Sequence, residues 1–306
     1  MSKRYFGWKK DPFDPKAWEF KPRLLVVPPP SVILDKYRMP VLNQDGVGAC
    51  VGFGIDGILT AELIKSELFV PVDKQTFSPT DIYNGGRYID GTLRWDEGTY
   101  ASSALEWLRL KKCLPYTYWP FNGFETNSRP SKLDQYAEPW PLSSYTPLTI
   151  GYFRVVDGAD GIMQAIASQH CVAIGVPWPD RWMNSKNGQL ATPKSSDSIA
   201  GGHEVFLYGY DNDKQLFYGQ NSWGTSVWSY SGKVVPKGCF TMPFASLPWF
   251  KKNGGYDAHI VNVDWKLSQP PTPPAASVQV KVSTDSGQSW QDFIQKVSSK
   301  LLVEVA

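Results

Sequence analysis

Cysteine and histidine are scarce in this chain of 306 residues, which holds four of the first and three of the second. Cys50, Cys113, Cys171 and Cys239 are too few and too scattered for a disulfide framework, and no C-x-x-C pair suggests zinc. A zinc site is therefore not expected. A surplus of charge of one sign is also missing. The 31 Lys and Arg against 29 Asp and Glu leave a formal charge of +2, which gives no reason to expect nucleic acid or an acidic membrane surface as a partner. No run of about 18 apolar residues occurs, so no membrane span is expected. The first ten residues hold no apolar stretch of signal-peptide length either. The chain is expected to be soluble, not exported by the general secretory route, and at home in a reducing compartment.

What is present is ordinary globular material. Hydrophobic residues make up 42% and charged residues 20%, which excludes wholesale disorder. Aromatics are plentiful, with 13 Trp, 15 Tyr and 15 Phe, enough to thicken a core and its loops. Residues 1–36 are rich in Pro, Lys and aromatics, and read as an extended arm over a domain or as a short inhibitory leader. Apolar positions at helical spacing (Phe53, Ile55, Ile58, Leu59, Leu63, Ile64) predict a buried helix over 50–68. Ser78-Pro79 opens a second helix, and Asp96-Glu97 precede a third, from Tyr100 to about Lys112. Residues 120–148 read as a long surface connection.

Beyond residue 150 the pattern turns to strands: Tyr152–Val156, Val172–Val176, His203–Tyr210, Leu216–Asn221, Gly238–Met242 and Ile260–Asp264, with one helix over Ala159–Ser168. A helical first half and an antiparallel-rich second half predict an α+β protein of two lobes, spanning 37–265. A proline-rich linker, 266–276, follows. Residues 277–306 are read as a β-hairpin, with Ser283 to Trp290 matching the S-x-D-x-G-x-[ST]-W turn pattern, and a docking partner for that hairpin is expected.

Three remote segments carry chemistry. Cys50 closes Asn43-Gln44-Asp45-Gly46-Val47-Gly48-Ala49 and opens the predicted buried helix. A thiol is a useful nucleophile only as thiolate, and a free thiol with a pKa of about 8.5 is mostly protonated at neutral pH. The positive end of a helix and an adjacent imidazolium both lower that pKa. With three histidines, elimination is feasible. His170, in a helix–strand turn, reads as solvated or capping, and His259, near the domain end beside a strand, as structural. His203 follows Gly201-Gly202, which let the backbone approach closely, and enters an apolar strand. Asn221, eighteen positions on, would fix the imidazole tautomer without adding charge, and Trp223 could cover that contact. Gln44 supplies a side-chain amide that, with the Cys50 N–H, could hold an oxyanion. Cys113, Cys171 and Cys239 read as structural thiols. The thiol chemistry read from this chain requires no metal or organic cofactor.

These residues resemble the papain-like cysteine peptidases, particularly bacterial and phage members. The likeness runs from about Ser31 to Trp265 and includes Ser78-Pro79, Asp96-Glu97-Gly98, Trp119-Pro120-Phe121 and Gly238-Cys239-Phe240. The family's C-G-[SA]-C-[WY] signature stands here as Val47-Gly48-Ala49-Cys50-Val51. Val47 cannot form the disulfide of secreted members, and Val51 replaces an aromatic. The resemblance implies a papain-like two-lobed fold, with a helical N-terminal lobe, a β-rich C-terminal lobe and a cleft between them. It implies Cys50 as nucleophile, His203 as acid and base, Asn221 as orienting residue and Gln44 as oxyanion donor, with Gly202 and Trp223 against a peptide or protein substrate. A cytoplasmic or virion-associated setting is expected, given no signal peptide and no membrane span. Two rivals remain at this point: an inactive papain-fold interaction module, such as a phage-particle component, and a cell-wall peptide hydrolase.

Overall fold

Every residue from Cys50 to Ile64 is buried, so helix α1 (Cys50–Lys65) has no solvent face. This is the helix that the apolar spacing predicts, ending a few residues early. Its one buried acid with a charge partner, Glu62, is met by Lys65 at 2.5 Å and by His170 Nδ1 at 2.8 Å. Helix α2 (Pro79–Ile89) begins where Ser78 Oγ accepts the Asp81 N–H at 3.1 Å, with proline at the first helical position. Helix α3 (Ala101–Lys111) packs on α2, where the Trp107 indole donates to Asp81 Oδ1 at 3.2 Å.

The computed structural model describes residues 5–21, 27–67, 77–93, 98–111, 113–114, 116, 119–121, 146–229 and 235–266. These lie in a unit running from Met1 to Gln269. A second unit, Pro270–Ala306, lies outside the described residues, and with it the expected terminal hairpin and nearly all of the linker. Most of the expected connection over 120–148 falls outside them too. Among the described residues no helix is long and apolar enough to cross a membrane.

Two short strands, β1 (Trp8–Lys9) and β3 (Thr99–Tyr100), pair in parallel. The second lobe is a sheet of seven strands, antiparallel at every pairing. Its order is β4 (Thr146–Arg154), β9 (Asp257–Lys266), β5 (Val172–Pro179), β6 (Ile199–Asp211), β7 (Leu216–Gln220) and β8 (Cys239–Pro243), with β2 (Ser31–Ile33) added to β6. Helix α4 (Gly158–Ala167) leads into β5, and α5 (Ser246–Lys252) links β8 to β9. Helix α1 lies against β6, β5 and β9, so the helical lobe meets the sheet along α1, with Gly54 against Glu204 and Gly57 against Phe206.

Several boundaries differ from the sequence expectation. Strand β4 starts at Thr146, inside the expected connection, because its first residues pair with the end of β9. Strand β6 starts at Ile199, since Gly201 and Gly202 continue the pairing with β5 across Trp178 and Pro177. His259 stands within β9 rather than beside a strand.

Candidate active site

Cys50 is the first residue of α1, and Ala49 before it offers no side-chain cap. The unsatisfied N–H groups and the dipole of a 16-residue helix therefore favour negative charge at the thiol, and the first turn holds no acid to offset them. The sulfur is fully buried and meets the backbone N–H groups of Glu204 and Gly7. Burial, with the Glu204 carboxyl close by, pushes the thiol up to about 12. The local electrostatics favour a thiolate, and the closed environment opposes it.

Strands β6 and β7 run side by side and bring His203 and Asn221 together. Their contact, Nε2 to Oδ1, measures 2.9 Å. The same Asn221 oxygen accepts the Ser222 N–H at 2.7 Å, which fixes the orientation of the amide. An accepting oxygen requires the imidazole hydrogen on Nε2, so Nδ1 carries the basic lone pair. Trp223 stacks on the ring with centroids 4.3 Å apart, and Trp178 meets it edge-on at 4.9 Å. His203 is fully buried between them.

Gln44 is locked to the Asn221 segment. Its Oε1 accepts the Ser222 hydroxyl at 2.6 Å, and its backbone N–H donates to the Ser222 carbonyl at 2.8 Å. This leaves Nε2 as the donor end, directed at Val47 O at 2.8 Å and Tyr5 O at 3.3 Å. The structure thus links His203 to Asn221, Gln44 to the neighbouring Ser222, and the Cys50 sulfur to the backbone next to His203, with Trp223 on the imidazole. The sequence reading passed over Trp178 and Ser222. Trp178 stands in a uniformly apolar run, and the signal for Ser222 was only its place between Asn221 and Trp223.

The arm fills this site. The Gly7 N–H donates to Gly202 O at 3.1 Å, and Gly7 O accepts from Thr99 N at 2.8 Å. Phe6 sets its edge against His203 at 5.9 Å and Trp223 at 5.8 Å. Position 7 admits only glycine: an added Cβ would fall 1.7 Å from the Gly48 carbonyl oxygen. The carbonyl of Tyr5 occupies the donor end of Gln44, where an oxyanion would need it.

The other two histidines sit elsewhere. His170 bonds Glu62, as described, and packs edge-on to Phe20. His259 is buried with Nε2 3.3 Å from Asp11 Oδ2, and burial lowers it to about 4, so the ring is neutral at physiological pH.

No family model matches the chain. An uncharacterised peptidase C1-like protein of Acanthamoeba polyphaga mimivirus is 22% identical over 211 residues, covering 66% of this chain and 64% of that protein. The chain thus spans less than two thirds of that relative's length. Among solved structures, xylellain, a cysteine protease from Xylella fastidiosa, superposes with a TM-score of 0.67 at 21% identity, over 87% of this chain and 98% of its own. The bromelain protease of Ananas comosus, solved with the E64 inhibitor, gives 0.54 at 17% identity over 77% and 100%. Digestive procathepsin L 3 of Tenebrio molitor gives 0.55 at 14% identity over 80% and 73%. The fold is papain-like: two lobes, one of helices and one built on an antiparallel sheet.

Proposed function

We propose that this chain is a papain-like cysteine endopeptidase of bacterial or phage type, and that residues 5–9 hold its cleft closed. The observation that carries the reading is the His203–Asn221 contact at 2.9 Å, together with a thiol at the uncapped start of α1 whose sulfur meets the backbone N–H of Glu204, the residue after His203. The peptidase descriptions of the mimivirus relative and of the structural neighbours support it.

With the arm displaced, the Cys50 thiol gives its proton to His203 Nδ1 and attacks the peptide carbonyl. Gln44 Nε2 and the Cys50 N–H stabilise the oxyanion, a contribution of about 3–4 kcal/mol in comparable sites. His203 then protonates the leaving amine, and afterwards takes a proton from water as that water releases the acyl group. Asn221 keeps the ring in the tautomer this sequence needs. Trp223 and Trp178 exclude water from the contact.

The test compares the full-length protein with Cys50→Ala on a mixed peptide library, with products read by mass spectrometry. Cleavage by the native chain, none by the variant and equal thermal unfolding of the two are expected. Equal cleavage by both would remove Cys50 from the chemistry. Closure of the cleft also favours a second reading, an interaction module that keeps the fold without turnover. Iodoacetamide separates the two: a Cys50 that stays inert even after the arm is loosened favours the module.

A further inference from the structure

Beside Cys50, the arm drops one side chain into a slot that suits it poorly. Gly175 of β5 carries no side chain, and the Trp8 indole lies where one would be: a Cβ on Gly175 would fall 1.8 Å from Trp8 Nε1. Gly175 pairs with Glu204 on one side and with Asp257 on the other. Residues directly opposite one another share a face of the sheet, so Glu204 and Asp257 flank the bare glycine, with the Glu204 side chain lying against Gly54 of α1. Glu204 is fully buried, and among the described residues neither of its carboxyl oxygens has a hydrogen-bond partner. The Trp8 indole N–H has none either. A buried acid without a donor and a buried donor without an acceptor mark an ill-matched occupant.

The second acid shows what would match. Asp257 Oδ1 binds the ammonium of Lys10, two residues further along the arm, and Asp257 Oδ2 accepts the Asp11 N–H at 2.7 Å. Asp257 also lines a cavity of about 530 Å³ with Lys10, Asp11, Arg154 and His259, which adjoins the second acid and is not lined by Trp8, Gly175 or Glu204. Burial, with Asp11 and Asp257 nearby, holds the Glu204 carboxyl well above the usual carboxylate range. An arriving cation would reverse that by supplying the missing charge and the missing hydrogen bonds.

We propose that the slot under Trp8 is the specificity pocket for a lysine or arginine side chain of the substrate, with Glu204 as its determining acid and Asp257 as the second. The arm strand β1 runs along Thr99–Tyr100 with Gly7 at the thiol and Trp8 in the slot. A substrate extended along the same edge places the side chain next to the cleaved residue in the same position. The inference rests on the cysteine peptidase reading.

The test uses the full chain carrying Trp8→Ala, which empties the slot, with and without Glu204→Gln. Two alkylating peptide probes, identical except for arginine or leucine at the slot position, are compared by the rate at which they modify Cys50. The arginine probe is expected to react at least about tenfold faster, and Glu204→Gln is expected to erase most of that ratio. A ratio within one preparation does not depend on how much of the protein is folded. Equal rates, a preference for leucine, or an arginine preference that survives Glu204→Gln would overturn the pocket while a reactive Cys50 leaves the peptidase reading standing. A Cys50 inert to both probes and to iodoacetamide would defeat that reading, and this one with it.

Discussion

Asn221 serves two donors through one oxygen, the His203 ring and the Ser222 backbone. Asn221→Ala frees the ring to rotate and to change tautomer. In steady-state kinetics kcat should fall on the order of a hundredfold with KM little changed, since the loss is one of geometry at the reacting atoms. Gln44→Ala removes a different function. It should lower kcat by about 10²–10³-fold through the oxyanion alone, and leave the pH profile of His203 chemistry in place. A Gln44→Ala enzyme with native kcat would exclude the amide from the oxyanion site. At this scale the positions of the candidate residues were readable where a residue type stood at a junction: Cys50 at a helix start, His203 after two glycines, Asn221 at a strand end. Trp178, Ser222 and Phe6 were not, because each acts through contacts with segments remote in the chain. Nothing local distinguishes Phe6 from the other aromatics of the arm.

Helix α1 carries an acid that its burial does not suit. Asp56 Oδ1 accepts from Thr60 at 3.0 Å, its other oxygen has no partner among the described residues, and burial raises it from 3.8 to about 8. A carboxyl raised in the folded state stabilises the fold fully below its unfolded pKa, and that contribution is lost as pH climbs through the folded value. The melting temperature should therefore decline between about pH 5 and about pH 8, and Asp56→Asn should flatten the decline. Thermal unfolding across that range checks it; parallel curves for both proteins would mean Asp56 is already ionised in the fold. The existence of α1, α2, α3 and the main strands was legible because each has its own apolar period or cap. Their ends were less so. The Gly201-Gly202 start of β6 has no side-chain pattern, and β1 and β3 are two residues each, defined only by pairing with one another. The place of His259 in β9 was hidden for a related reason: its imidazole is buried beside Asp11, on the arm.

For the molecule as a whole, the question is how a cleft filled by its own chain opens. The arm is pinned in two further places. Arg154 exchanges backbone hydrogen bonds with Trp18 and Phe20 at 2.8 Å and bonds Glu19 through its guanidinium at 3.0 Å. Strand β2 adds to β6, and Pro29 accepts the Tyr210 hydroxyl at 2.8 Å. If residues 5–11 swing out on these anchors, breaking the contacts of Lys10 and Asp11 with Asp257 and Ser102, opening is intramolecular and should not depend on protein concentration. Gly7→Ala isolates the step. Its new methyl group would strike the Gly48 carbonyl, backbone against backbone, so the arm and not a flexible side chain must give way. The fold away from the cleft loses nothing by this change, and the burial that pushes Cys50 up to about 12 is relieved. Iodoacetamide should modify Cys50 in Gly7→Ala at least about tenfold faster than in the native chain, because reactivity follows the thiolate fraction and access. Peptide hydrolysis should rise in parallel, with the rate per molecule unchanged on dilution. A native alkylation rate in a folded Gly7→Ala protein would mean that the arm does not govern the thiol, and closure would then have to be sought elsewhere in the cleft.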